Sequence, residues 1–210
     1  MSFDGIVTRA VVHELTETII GSKVDKIYQQ EKDEILIRLR KAGQNHKLLI
    51  SASSNNPRIY ITEHTKQNPS SPPMFCMLLR KYLIGGVITD VQQYSLDRIV
   101  CIKIKAMNEM GELSTKNLVV EIMGKHSNII LVNDDSNTII DSIKRITPQI
   151  SRVRQVLPGL NYEFPPAKDK VNPLDVDENL FMDRLKDHNK NIPTYKYLYI
   201  NYVGLSPLIS

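Results

Sequence analysis

With 210 residues, 41% of them hydrophobic, the chain can bury a sizeable core and has length for one domain plus an appendage. No run approaches the roughly 18 to 20 apolar residues of a membrane span, and the start Met1-Ser2-Phe3-Asp4-Gly5 lacks the basic, apolar pattern of an export signal, so a cytoplasmic setting without membrane insertion is expected. A net charge of +4 suits a polyanionic partner without demanding one, and two cysteines, Cys76 and Cys101, read as reduced packing thiols rather than a disulfide framework.

The first element is an amphipathic helix over residues 6–20, where Ile6, Val7, Ala10, Val11, Leu15 and Ile19 recur at helical spacing and Gly21 stops it. His13 within it has no ligand partner at metal-binding spacing and reads as a surface residue. Strands are expected over 23–30, 34–41, 47–53 and 58–63, with breakers at 31–33, 43–45 and 55–57. Ile35, Ile37 and Leu39 alternate with Leu36, Arg38 and Arg40 at the period of a half-buried strand. A Pro- and Ser-rich stretch then opens a helix over 74–84, whose Met74, Phe75, Met77, Leu78, Tyr82 and Leu83 read as a core stripe, and Gly85-Gly86 ends it. A second strand set follows over 87–94, 98–107, 118–123, 128–133 and 138–143, with Val100, Ile102 and Ile104 on an apolar face and Cys101, Lys103 and Lys105 on a basic one.

These patterns predict an α+β fold, two antiparallel sheets forming a sandwich flanked by helices over 1–166. A linker is expected over 167–175, and the start of a helical region over 176–210. That region has a helix over 176–188, a Tyr-rich segment from Pro193 and a turn at Gly204-Leu205-Ser206-Pro207 whose continuation belongs to a longer protein.

Two stretches carry candidate chemistry. Residues 118–132 read as a tight hairpin in which Gly124 provides positive φ, Asn128 tolerates the left-handed region, and Lys125, His126, Ser127 and Asn128 form a polar tip. That set suits phosphate, sugar and base edges, and equally an ordinary solvated turn. Asp97-Arg98 at a strand entrance is either a local ion pair or a contact pair. No catalytic motif, metal site or cofactor loop is present, and Asp134-Asp135 lies in turn composition.

Four motifs in order, M-S-F-D-G at the start, S-P-P-M-F-C-M-L-L-R-K at 71–81, L-D-R-I at 96–99 and E-I-M-G-K-H-S-N-I-I-L at 121–131, together resemble the N-terminal domain of the NFACT family. The resemblance implies ribosome-associated quality control: binding of a large ribosomal subunit with stalled peptidyl-tRNA, and recruitment of tRNA, alanyl-tRNA in bacteria, for template-free tailing. It implies no enzymatic nucleophile, a helix-hairpin-helix region after residue 166, and a tRNA-binding set of Asp4, Asp97, Arg98, Glu121, Ile122, Met123, Gly124, Lys125, His126, Ser127 and Asn128. The family's older name implies an alternative, a fibronectin-binding surface adhesin that would need nonclassical export. At fold level the resemblance extends to formamidopyrimidine-type DNA glycosylases, but Met1-Ser2-Phe3-Asp4 replaces their N-terminal Pro-Glu and removes the nucleophile.

Overall fold

The structure, a computed structural model, describes residues 3–64, 66–166, 170–186 and 192–210. Met1 and Ser2, the first part of the expected linker, and the end of the helix expected over 176–188 lie outside the described residues.

Helix α1 (Gly5–Ile19) starts at Asp4, whose Oδ1 accepts from the Val7 N–H at 3.0 Å, an N-cap that satisfies one of the orphan donors of the first turn. Thr8, Val12, Leu15 and Ile19 form its buried face. A meander follows: β1 (Lys23–Glu31), β2 (Glu34–Lys41), β3 (Gln44–Ser51) and β4 (Arg58–Ile61). Strand β3 begins inside the expected 43–45 breaker, because Ala42 and Gly43, at φ 45 and 82, make the whole turn in two residues. Helix α2 (Met74–Leu83) leads to a second meander, β5 (Val87–Gln93), β6 (Ile99–Met107), β7 (Leu113–Glu121), β8 (Asn128–Asn133) and β9 (Ile139–Ser142). Strand β7 starts ahead of its apolar run because Leu113 to Asn117 pair with Met107 to Lys103, so the cross-strand ladder overrides their polar composition.

The two meanders are not separate sheets of a sandwich, as the sequence suggested. They form one nine-stranded antiparallel sheet ordered β4-β3-β2-β1-β5-β6-β7-β8-β9. The join rests on one register pair, Lys23 with Val87, and on backbone bonds around it: Val24 N–H to Gly86 O at 2.8 Å, Gly85 N–H to Val24 O at 2.9 Å, and Ile88 N–H to Ser22 O at 2.9 Å. Gly86, beside the join, has no room for a side chain, since a Cβ there would lie 2.9 Å from the Ala106 and Ile104 side chains of β6. Beyond the join β1 pairs with no strand on this side among the described residues, and the Ile27 carbonyl accepts instead from Arg80 Nε of α2 at 2.8 Å.

Both helices lie against the inner face, where one apolar cluster unites Leu15 and Ile19 of α1, Phe75, Cys76, Leu79 and Leu83 of α2, and residues of both meanders. The stripe expected on α2 is thereby corrected: Met74 and Met77 are 74% and 58% exposed, and Cys76 and Leu79 take the core positions. A second cluster, Ile99, Val119, Ile130, Val132, Ile139, Val156 and Tyr162, covers the other face of the second meander. Burial on both faces accounts for the unbroken apolar runs of β7 and β8.

Helices α3 (Glu178–Lys186) and α4 (Thr194–Asn201) follow, and of the expected linker Val171 bridges Tyr202 while Pro173–Asp175 makes one 3-10 turn. The segment after α4 returns to the start of α1, where Gly5 N–H donates to Gly204 O at 2.8 Å and Ser206 Oγ donates to Asp4 Oδ2 at 2.8 Å. Gly204, at φ 78, fits only as glycine, because its Cβ would lie 2.1 Å from the Leu96 carbonyl oxygen.

Candidate nucleic-acid interface

Two loops at one end of the second meander meet. Strand β6 pairs with β7 as far as Ile99 with Glu121, and the Ile122 N–H adds a bond to the Arg98 carbonyl at 2.8 Å, so the 94–98 loop and the 122–127 turn stand side by side. Together with residues 144–156, Pro165, Pro166, Lys170 and residues 203–207 they enclose a cleft of about 990 Å³. Nine residues of the sequence-derived set line it: Asp4, Asp97, Arg98, Glu121, Met123, Lys125, His126, Ser127 and Asn128. Ile122 does not, being buried in the main core, and Gly124, at φ 57, shapes the turn from beneath.

The nine divide by what already occupies them. The Asp97 carboxylate accepts from the Arg98 backbone N–H at 2.7 Å, and no Asp97–Arg98 ion pair forms. Among the described residues the half-buried Arg98 guanidinium makes no hydrogen bond or ion pair, so it faces the cleft with its donors free. Lys125 and His126 are exposed on a 3-10 turn.

Ser127 and Asn128, expected at an open tip, are buried instead. Ser127 Oγ accepts from Met123 N–H at 2.8 Å and closes the turn. Asn128 is extended in β8, opposite Glu121, and its amide holds both the N–H and the carbonyl of Lys144 at 3.1 and 2.8 Å. Asp4 is spent on the α1 cap and on Ser206.

Glu121 lies at the base of the cleft. It accepts a bidentate pair from Arg154, at 3.0 and 2.7 Å, and a third bond from the Tyr162 hydroxyl at 2.9 Å. Burial first, and then the Glu121 charge, push the Tyr162 phenol far above its ordinary pKa, which keeps it protonated as a donor. Burial works against the Arg154 charge, but bonding to Glu121 outweighs it and raises its pKa. Burial lowers the Lys144 ammonium, with Asp33 opposing, and its Nζ donates to the carbonyl of Ala52, the residue that follows β3.

Sequence reasoning missed Lys144, Arg154 and the apolar wall of Ile146, Ile150 and Val153. The alternating cations and apolar residues of Arg152-Val153-Arg154 were the available signal. Cationic donors on one side and apolar side chains on the other suit phosphate and unstacked bases.

Known proteins extend this picture. The chain is 43% identical over 210 residues to the protein described as Rqc2 homolog RqcH of Bacillus subtilis, covering 100% of the chain and 36% of the relative. It is 40% identical over 182 residues to the Rqc2 homolog RqcH of Streptococcus pneumoniae serotype 2, covering 86% and 33%. The chain thus spans about a third of the length of these relatives. The crystal structure of the N-terminal domain of fibronectin-binding protein PavA from Streptococcus pneumoniae superposes with a TM-score of 0.91 at 36% identity, covering 99% of this chain and 77% of that one. A family model described as NFACT N-terminal and middle domains matches residues 4–210, and the chain belongs to the NFACT family.

Proposed function

We propose that this chain is the tRNA-handling part of a ribosome quality control protein, recruiting tRNA, alanyl-tRNA in a bacterial setting, to a large ribosomal subunit with stalled peptidyl-tRNA for template-free C-terminal tailing. Its part is recruitment and positioning in the cytoplasm rather than catalysis, since peptidyl transfer belongs to ribosomal RNA. The relatives' description as Rqc2 homologues supports the setting. The observation that carries the reading is the Arg98 guanidinium, unpartnered among the described residues and flanked by Asp97, Lys125 and His126 on one cleft wall. A free guanidinium forks onto phosphate or stacks on a base, and a neighbouring carboxylate accepts from a base or a 2′-hydroxyl.

The description of PavA as a fibronectin-binding protein favours a second reading, a fibronectin-binding adhesin. The test is Asp97→Ala with Arg98→Ala in the full-length protein, read by thermal melt and by tRNA co-purified with ribosomal complexes. The expected loss is about 1 to 3 kcal/mol of binding, roughly five- to a hundredfold, with the fold intact. Normal tRNA recovery, or a melt many degrees lower, would reject the reading, and recovery of the protein only at the cell surface would favour the adhesin.

A further inference from the structure

The outer face of the first meander carries a cluster of cations that the described residues only partly pair. Lys47, Arg38 and Lys26 are direct cross-strand neighbours on β3, β2 and β1, and their strand partners Ile37, Leu39, Leu48 and Ile27 point into the core, so all three cations share the outer face. Because the sheet is continuous, the next row crosses the join: Arg40 of β2, Lys23 of β1, Val87 of β5 and Lys105 of β6. At about 4.8 Å between strands the two rows run roughly 10 and 14 Å, and about 7 Å separates them along a strand.

Among the described residues two carboxylates answer these six cations: Asp25 lies 3.3 Å from Arg40, and Glu63, 87% exposed, lies 4.0 Å from Lys47, whose Nζ also donates to the Glu63 carbonyl at 2.8 Å. The side chains of Lys23, Lys26, Arg38 and Lys105 make no hydrogen bond or ion pair among the described residues. Like charges directly opposite one another destabilise a sheet, so the rows cost the isolated fold stability. On the other side of Lys26, Arg38 and Lys47 runs the row Tyr28, Leu36, Leu49 and Tyr60, whose two leucines are buried and whose tyrosines stand at its ends. The two half-buried tyrosines have guanidinium groups over their rings, Arg80 at 5.8 Å from Tyr28 and Arg58 at 5.6 Å from Tyr60.

We infer that this outer face is a second RNA-binding surface, separate from the cleft, whose cation rows neutralise the phosphates of an unpaired strand while the tyrosine–arginine pairs meet its bases. Charge complementarity selects a polyanion, and the two tyrosines beside it favour RNA over an acidic protein. The inference goes beyond the tRNA reading and uses none of the residues that line the cleft.

The test measures binding of the full-length protein to an oligouridylate of roughly 12 nucleotides across a salt series, for wild type, for Lys23→Glu with Lys26→Glu and Arg38→Glu, and for Arg98→Ala. At about 0.7 per phosphate contact, the triple variant is expected to flatten the slope of log affinity against log salt by about 2 and to lower affinity at least tenfold. Its melting temperature is expected to hold, and the Arg98→Ala slope to change by less than one. If the triple variant melts early, Lys26→Gln with Arg38→Gln must still flatten the slope by about 1. An unchanged slope overturns the inference, and so does polyglutamate that displaces the RNA as well as unlabelled RNA does. Failure of the cleft reading would show separately, as full tRNA recovery by the Asp97 and Arg98 variant.

Discussion

Replacing Glu121 with alanine should damage the fold far more than replacing Arg98, although both line the same cleft. Glu121 is 2% exposed and accepts three hydrogen bonds, two from Arg154 and one from Tyr162. Its loss leaves a guanidinium whose side chain is only 13% exposed without a counter-charge, and a buried phenol without an acceptor. Breaking a buried pair from one side costs about 3 to 5 kcal/mol. At about 2 to 4 °C per kcal/mol for a chain of this size, Glu121→Ala should melt roughly 6 to 20 °C below wild type. Arg98→Ala removes a side chain with no partner among the described residues, costs under about 0.5 kcal/mol and shifts the melt by no more than about 2 °C. Calorimetry on both variants reads the contrast. Glu121→Leu combined with Arg154→Met should recover most of the loss, because an apolar pair leaves no stranded charge. A Glu121→Ala melt within about 2 °C of wild type would refute the reasoning, as would a double variant less stable than the single one.

Two further outcomes follow from the geometry. Burial, against the opposing charge of Lys103, raises the Cys101 thiol to about 11, so the fold favours the neutral thiol, and the stability it holds below pH 9 is lost as pH rises towards about 11. Denaturant melts should show wild type losing about 2 to 3 kcal/mol more than Cys101→Val over that window, and parallel losses would contradict it. Gly204→Ala forces a residue with a Cβ into φ 78, with its Cβ 2.1 Å from the Leu96 oxygen. It should cost about 1 to 3 kcal/mol and speed hydrogen exchange at residues 203–207, whereas Gly159→Ala, at φ 86 with no atom within 4 Å, should show only the conformational share.

Element type was legible wherever period and punctuation agreed. Ile35, Ile37 and Leu39 turn to the core as their spacing predicts, although Leu36 between them is buried as well, and Gly21, Gly85 and Gly86 mark ends that the structure keeps. What the sequence could not display was the joining of sheets, because a single pair, Lys23 with Val87, has no compositional signature. Recognising two meanders as a sandwich was the natural error.

The candidate site was legible as a set of positions but not as a division of labour. Ser127 and Asn128 look like tip residues until their hydrogen bonds to Met123 and Lys144 turn them inward. Glu121 looks like a ligand-facing carboxylate until Arg154, 33 residues away, occupies it. Long-range partners of this kind leave no local pattern to read.

The narrow join between the meanders divides the molecule into two leaves on a common spine. Within each leaf every strand pairs with its sequence neighbours, so both can form from local hairpins with small loop-closure costs. Closing the spine is the non-local event, and it brings α2 between the leaves as a wedge, Arg80 holding the free carbonyl of Ile27. Opening should run along the same seam: amides of Val24, Gly85 and Ile88 would exchange with solvent while those of Ile37 and Val120 stayed protected, and the leaves would part as two cooperative units rather than fray strand by strand.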